Sequence, residues 1–305
     1  MLYHLKAEEK RPSALVYDNI IYANRITRWG RDYHPLKINL IIPHYDHKEN
    51  PPAPLLVWLE GGGWRNASPA VRLAELGFYA YHGIAVADVE YSVNSNNIWP
   101  VCLEDVKEGI RFLRANRGEF NIDPEKLIVA GDSAGAHLAA LTALTGDEEK
   151  YKTAANRQES DKVNGAICWY CPGDFPAVLG DPVPVCYEDL LTGEITAENE
   201  ALLKEINPMS HVTKNAPPFL FFHGDADNVV YYQSSLNLYE KLLSAGAEAD
   251  YYLLEGANHA ENAFTQENIQ KLMLALTPSG MTSAESSGNA VILSTRSIMI
   301  QRPGC

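Results

Sequence analysis

The sequence predicts an α/β fold, a mostly parallel sheet with an antiparallel start and helices on both faces, and three features carry that reading. From residue 54 onward, short apolar runs alternate with helix-length periodic segments, which is the pattern of β-α-β units. Those runs are nearly continuous in apolar residues, as strands covered on both faces require. Ahead of residue 54, two alternating runs are separated by polar, Gly-containing sequence, which suits antiparallel strands.

In chain order, the antiparallel start is VYDNIIYA (16–23) and KINLII (37–42). Parallel strands follow at PLLVWL (54–59), IAVADVEYS (84–92), KLIVAG (126–131), VNGAICWY (163–170), PFLFFHG (218–224) and ADYYLLEG (249–256). Between them, VCLEDVKEGIRFLRANR (101–117) keeps its apolar residues at i, i+3, i+4 spacing, with Pro100 at a permitted helix start. SAGAHLAALTALTG (133–146) is rich in Ala and Leu and closes on Gly146, and SSLNLYEKLLSAG (234–246) closes the same way. Residues 171–217 carry no strand signal and one helix pattern, AENEALLKEI (197–206); so long a connection inside a domain reads as a lid over a site. After Thr277 the periodicity is lost and Ser and Gly accumulate, so a domain over 1–276 and a disordered or foreign tail over 277–305 are expected.

Composition narrows the function. With 305 residues, 46% hydrophobic and 21% charged, the chain has enough apolar side chains for a sizeable core. Its 25 basic against 39 acidic residues leave a net charge of −14, which repels phosphate backbones and anionic lipid and argues against nucleic-acid and membrane partners. No apolar run approaches membrane-spanning length, and the first residues lack the basic-then-apolar pattern of a leader. Five cysteines, few and odd in number, speak against a disulfide framework. A cytoplasmic protein is the expectation, secretion staying open if a leader has been trimmed. No metal or organic cofactor is implied, and oligomeric state is not legible.

The chemistry concentrates at strand ends. GDSAG (131–135) joins an apolar strand to a small-residue helix, the setting of a nucleophile elbow in which Ser133 is exposed on a strained turn and Gly131 and Gly135 avoid clashes. A serine capping an ordinary helix is the plainer alternative, and the flanking strand and helix favour the elbow. A serine hydroxyl needs a base within hydrogen-bond reach and an acid to orient that base. HGDADNVV (223–230) starts at a strand end and offers Asp225 and Asp227, while EGANHAENAF (255–264) places His259 in the next such loop. The other eight histidines precede the acid in the chain and read as surface, packing or turn residues. EGGGW (60–64) follows a strand directly; the N–H groups of Gly62 and Gly63, with that of Ala134 and Trp64 in reserve, are the candidate oxyanion donors. Cys168-Trp169-Tyr170-Cys171 is read as structural, because odd separation along a strand puts the two thiols on opposite faces.

Together, GGGW, GDSAG, HGDAD and GANH resemble the α/β-hydrolase superfamily, in the acetyl-esterase and carboxylesterase branch near the hormone-sensitive-lipase group and most closely the bifunctional acetyl xylan and feruloyl esterases. The likeness covers roughly residues 16–276, including DVKEGIRFLRAN and SHVTKNAPPFLFFHGDAD. It implies a single α/β-hydrolase domain with a short lid and a serine esterase acting on a small-molecule or oligosaccharide ester, with Ser133, His259 and Asp227 catalytic. The family pattern H-G-x-x-D selects Asp227 over Asp225. An amide-cleaving arylformamidase or peptide hydrolase, and a binding protein without catalysis, are the alternatives. Trp64 and Trp99, with Phe175 and Tyr187 of the lid, are the expected aromatic walls of the substrate cleft. One position departs from the family: Glu60 stands where a histidine is usual before the three glycines. Because a carboxylate facing a developing oxyanion would oppose it, Glu60 is expected to turn away from Ser133, held by a hydrogen-bond donor from a neighbouring loop or placed at the cleft rim to receive sugar hydroxyls.

Overall fold

The computed structural model describes residues 12–45, 50–175 and 200–260. Its strands are β1 (Ser13–Ile26), β2 (Tyr33–His44), β3 (Ala53–Leu59), β4 (Ala85–Val89), β5 (Ile122–Asp132), β6 (Gly165–Trp169), β7 (Phe219–Gly224) and β8 (Ala249–Leu254). Its helices are α1 (Leu73–Ala80), α2 (Val101–Ala115), α3 (Arg117–Phe120), α4 (Ala134–Leu144), α5 (Glu200–Ile206) and α6 (Tyr232–Ala245). The strands make one eight-stranded sheet in the order β1-β2-β4-β3-β5-β6-β7-β8. β1 pairs with β2, and β2 with β4, antiparallel; every other pair is parallel.

Alternation along the central strands builds two layers. Leu55, Val57 and Leu59 of β3, Ala85 and Ala87 of β4, and Leu127 and Val129 of β5 join one continuous core with Leu103, Val106 and Ile110 of α2 and most of α4. Their neighbours Leu56, Trp58, Val86 and Ala130 are equally buried but lie outside that cluster, as do Leu76, Tyr79 and Ala80 of α1. This is the doubly covered parallel sheet that the apolar runs predict.

Two differences from the sequence reading have physical causes. β1 and β2 run well beyond 16–23 and 37–42, because pairing continues from Ser13↔His44 to Ile26↔Tyr33 through polar residues, with Val16, Tyr17 and Ile21 of β1 left exposed. A half-solvated antiparallel pair needs no apolar run at its ends. The short helix α1 has no counterpart in the reading; Gly77 and two aromatics inside LAELGFYA weaken its helical signal. Of the lid region, α5 and a 3₁₀ turn at Pro208–His211 are described. Residues 176–199 with Tyr187 and Cys186, and the tail 277–305 with Cys305, lie outside the described residues.

The Cys-x-x-Cys reading needs correction in its geometry. Cys171 lies past the end of β6, and the left-handed turn at Tyr170 (φ 36°) brings its thiol to that of Cys168 instead of to the opposite face. Both are free and fully buried in the core, and burial pushes the Cys171 thiol well above its usual range.

Candidate active site

Three parallel strands end at the same rim of the sheet, and each delivers one residue of a hydrogen-bonded chain. β5 ends at Asp132, α4 begins at Ala134, and Ser133 between them has φ 51° and ψ −118°, a strained elbow. A Cβ on Gly135 would lie 2.0 Å from the Leu59 carbonyl oxygen, so only glycine lets α4 pass this close to β3. Asp227 follows β7 and His259 follows β8. His259 Nε2 is 3.2 Å from Ser133 Oγ, and His259 Nδ1 is 2.7 Å from Asp227 Oδ2. An ionised carboxylate only accepts, so Nδ1 carries the ring proton and Nε2 is left to accept from the serine.

Asp227 is held from every side. Its Oδ1 accepts the N–H groups of Val229 at 2.9 Å and Val230 at 2.8 Å. Its Oδ2 also faces His223 Nε2 at 3.1 Å. Burial alone would raise the pKa of this carboxyl, but the bonds from His223, His259 and Val230 outweigh it and hold the group well below the usual carboxylate range. Asp225 does other work: its Oδ1 accepts the Gly256 N–H at 2.6 Å on an exposed turn.

The glycine turn faces the serine across a cleft of about 440 Å³ lined by Gly62, Gly63, Trp64, Ser133, Tyr170 and His259. Gly62 (φ 140°), Gly63 (φ 61°) and Trp64 (φ 57°) are successive left-handed residues, and the Arg65 and Asn66 N–H groups close the turn on the Gly62 carbonyl. Among the described residues, neither the Gly62 nor the Gly63 N–H has a hydrogen-bond acceptor. Ala134, as the first residue of α4, contributes an N–H with no intrahelical partner.

Of the expected aromatic walls, Trp64 lines the cleft while only 2% exposed, its Nε1 donating to His137 Nδ1 at 3.3 Å. Trp99 does not reach the cleft; it is buried against Tyr151, with ring centroids 6.1 Å apart, because the start of α2 draws it into the core. Phe175 is likewise buried, against His137 and Trp64.

Sequence reasoning missed four participants. His223, read as a structural histidine, is fully buried against the acid and bonded through Nδ1 to Ser235 Oγ at 2.6 Å. Its signal was its place at the end of an apolar strand, four residues before Asp227. Tyr170 lays its ring edge-on to His259 at 4.4 Å and donates its hydroxyl to Asp132 Oδ2 at 2.8 Å. Asp132 and Arg72 pair at 2.8 Å, with Glu60 3.5 Å from the same guanidinium. Glu60 thus faces the loop ahead of α1 and does not line the cleft, but it meets a charge contact from Arg72 there and not the hydrogen-bond donor expected of a neighbouring loop. Nothing in the sequence links Arg72, twelve residues beyond Glu60, to the elbow.

The chain matches the profile of the BD-FAE family over residues 41–242, which takes in the glycine turn, Ser133 and Asp227 but not His259. Among curated proteins it is 30% identical over 214 residues to the esterase LipC of Mycobacterium tuberculosis, covering 68% of this chain and 53% of LipC. It is 26% identical over 206 residues to endo-1,4-beta-xylanase B of Butyrivibrio fibrisolvens, covering 63% of this chain and 30% of that protein. Here the chain spans about half the length or less of the curated relatives it matches. Among solved structures, a truncated carbohydrate esterase from gut microbiota superposes with a TM-score of 0.74 at 23% identity, covering 88% of this chain and 97% of the other. Native esterase 2 of Thermogutta terrifontis superposes with a TM-score of 0.68 at 25% identity, covering 93% and 96%. The fold is that of the α/β-hydrolase esterases, and the match across more than half of its length shows that the chain belongs to the BD-FAE family.

Proposed function

We propose that this protein is a serine carboxylesterase working through an acyl-enzyme, a reading carried by the unbroken Ser133–His259–Asp227 chain opening on a turn of unengaged N–H groups. Ser133 Oγ attacks the ester carbonyl as His259 Nε2 takes its proton. Asp227 keeps the imidazole in the Nδ1–H tautomer and balances the imidazolium that forms. The N–H groups of Gly62, Gly63 and Ala134 receive the oxyanion of the tetrahedral intermediate. His259 then returns the proton to the departing alcohol, and a water repeats the sequence on the acyl-enzyme. These groups complete the cycle without a cofactor.

The substrates proposed are short-acyl or hydroxycinnamoyl esters, in particular acetyl or feruloyl groups on xylan-derived sugars. An open cleft walled by Trp64 and Tyr170 suits a small acyl group carried on a bulky alcohol. The carbohydrate-esterase neighbour and the xylanase relative support the same direction.

Ser133→Ala is expected to lower p-nitrophenyl acetate turnover by about 10⁴-fold while leaving the fold intact, and to abolish labelling by a fluorophosphonate. Equal labelling of wild type and variant would overturn the nucleophile. For the substrate, acetylated xylo-oligosaccharides and methyl ferulate are expected to be cleaved faster than N-formylkynurenine; the reverse order would favour an arylformamidase.

A further inference from the structure

We infer that Arg72 is a positioning residue: by bridging Asp132 and Glu60 it fixes the glycine turn against the nucleophile elbow. The inference rests on the serine-hydrolase reading of Ser133.

Asp132 ties three segments together through its two oxygens. Oδ1 accepts the Gly61 N–H at 2.6 Å, so the residue just before the nucleophile holds the first residue of the oxyanion turn. Oδ2 accepts Arg72 Nη2 and the Tyr170 hydroxyl, each at 2.8 Å. The two loops are already in contact, because a Cβ on Gly61 would stand 2.8 Å from the Asp132 carbonyl oxygen and 3.2 Å from Ser133 Cβ. A carboxylate with two oxygens so engaged sets the spacing between Ser133 and the Gly62 and Gly63 N–H groups, provided its own charge is countered. Arg72 is the guanidinium that counters it.

Arg72 is shared with a second carboxyl. Its Nε lies 3.5 Å from Glu60 Oε2, yet neither Nε nor the buried Glu60 Oε1 has a hydrogen-bond partner. That is a charge contact and not a formed bond. Glu60 faces Asp132, Asp88 and Arg72, with Tyr170 nearby, while the Tyr91 hydroxyl donates to its backbone carbonyl at 2.6 Å. Asp88 in turn anchors the loop carrying Arg72, accepting the Ala70 N–H at 2.6 Å. Burial, and then Asp132 and Asp88, push the Glu60 carboxyl up to about 8 against the pull of Arg72. Burial likewise pushes the Asp88 carboxyl up to about 7, so near neutral pH the ion pair of Asp132 with Arg72 sits beside a largely protonated Glu60 and a partly protonated Asp88. When Glu60 ionises it competes with Asp132 for the guanidinium and sets a negative charge next to the turn that must stabilise an oxyanion. The cluster therefore works as a clamp at neutral pH and slackens on the alkaline side.

The test compares wild type, Arg72→Gln, Arg72→Lys and Glu60→Gln by p-nitrophenyl acetate kinetics between pH 6 and 10 and by the rate of fluorophosphonate attachment to Ser133. Arg72→Gln is expected to lose 10- to 100-fold in kcat with KM within about threefold, and to slow labelling by at least tenfold, since a misplaced turn weakens transition-state binding more than ground-state binding. Arg72→Lys should recover only part, keeping the charge without the planar fork. In Glu60→Gln the ratio of kcat at pH 9 to kcat at pH 7 should rise at least threefold over wild type. Unchanged kcat and labelling in a folded Arg72→Gln would overturn the inference; if that variant does not fold, an unchanged ratio in Glu60→Gln would do so. Because labelling needs no ester substrate, a wild type that labels but hydrolyses no ester would count against the esterase reading while the labelling rates still decided the role of Arg72.

Discussion

The acid side and the turn side of the site are built in opposite ways. On the acid side, Asp227 accepts two backbone N–H groups and two imidazoles, and His223 passes the network on to Ser235 and Tyr251. Every oxygen of that buried carboxylate is bonded. On the turn side, Glu60 and Asp132 share one guanidinium with Asp88 close by, and the buried Glu60 Oε1, Arg72 Nε and Asp88 Oδ1 have no hydrogen-bond partner. Fully bonded networks are rigid and hold one protonation state, whereas part-bonded ones in low dielectric answer to small changes of charge. The first arrangement keeps a base oriented. The second places backbone donors by charge balance, and so makes them sensitive to pH.

The largest effect that would break this contrast lies at the acid. Asp227→Asn should cost about 10⁴-fold in kcat, because the amide favours the wrong His259 tautomer, while Asp225→Asn, on its exposed turn, should stay within a few-fold. Steady-state kinetics on the two variants checks this, and reversed sizes would move the acid to Asp225. The depressed pKa of Asp227 also carries a stability sign. A carboxyl held below its unfolded value stabilises the fold above about pH 4, and that contribution is lost as pH falls through the folded value. Asp227→Asn should therefore flatten the acid limb of a melting-temperature profile.

A smaller effect is expected one step out. His223 gives Asp227 Oδ2 its second donor and is fully buried, so His223→Leu leaves the carboxylate short of one bond and Ser235 with only Tyr232 and Tyr251 as partners. A loss of 10- to 100-fold in kcat is expected, with His223→Gln milder because the amide still donates. If His223→Leu matched wild type in kcat and in its pH profile, the second imidazole would be mere packing.

How much of this was legible in the sequence follows the same division. Ser133, His259 and the loop with Asp225 and Asp227 are each tied to the C-terminal end of an apolar strand, so periodicity and chain order brought them together, and the family resemblance chose Asp227 over Asp225. The glycine turn was legible for the same reason, lying directly after β3. Trp99 was misplaced because an aromatic residue in a loop looks alike whether it faces a cleft or, as here, the start of α2 and Tyr151. The Arg72 bridge was not legible: it depends on α1, an element with weak helical signal, bringing a side chain back to β5 sixty residues away. Local pattern carries contacts made through strand ends. It does not carry long-range charge pairs between loops.

The smallest predicted effect sharpens the comparison most, because it separates burial of charge from catalysis. In the folded protein the Glu60 carboxyl holds its proton up to about 8, whereas in the unfolded chain a glutamate ionises near its ordinary value of about 4.3. Between those values the folded state binds more protons than the unfolded one, so the stability of wild type falls as pH rises through that window. Glu60→Gln carries no such charge and should escape the fall. Its melting temperature is therefore expected to draw level with or trail wild type at pH 5, where both side chains are uncharged in the folded protein, and to gain on wild type progressively up to pH 8, by a few degrees. Differential scanning fluorimetry at half-unit steps reads this directly, independent of any substrate. A constant offset across the range would mean that Glu60 keeps its charge in the fold, fully countered by Arg72, and that the turn side is as rigidly balanced as the acid side.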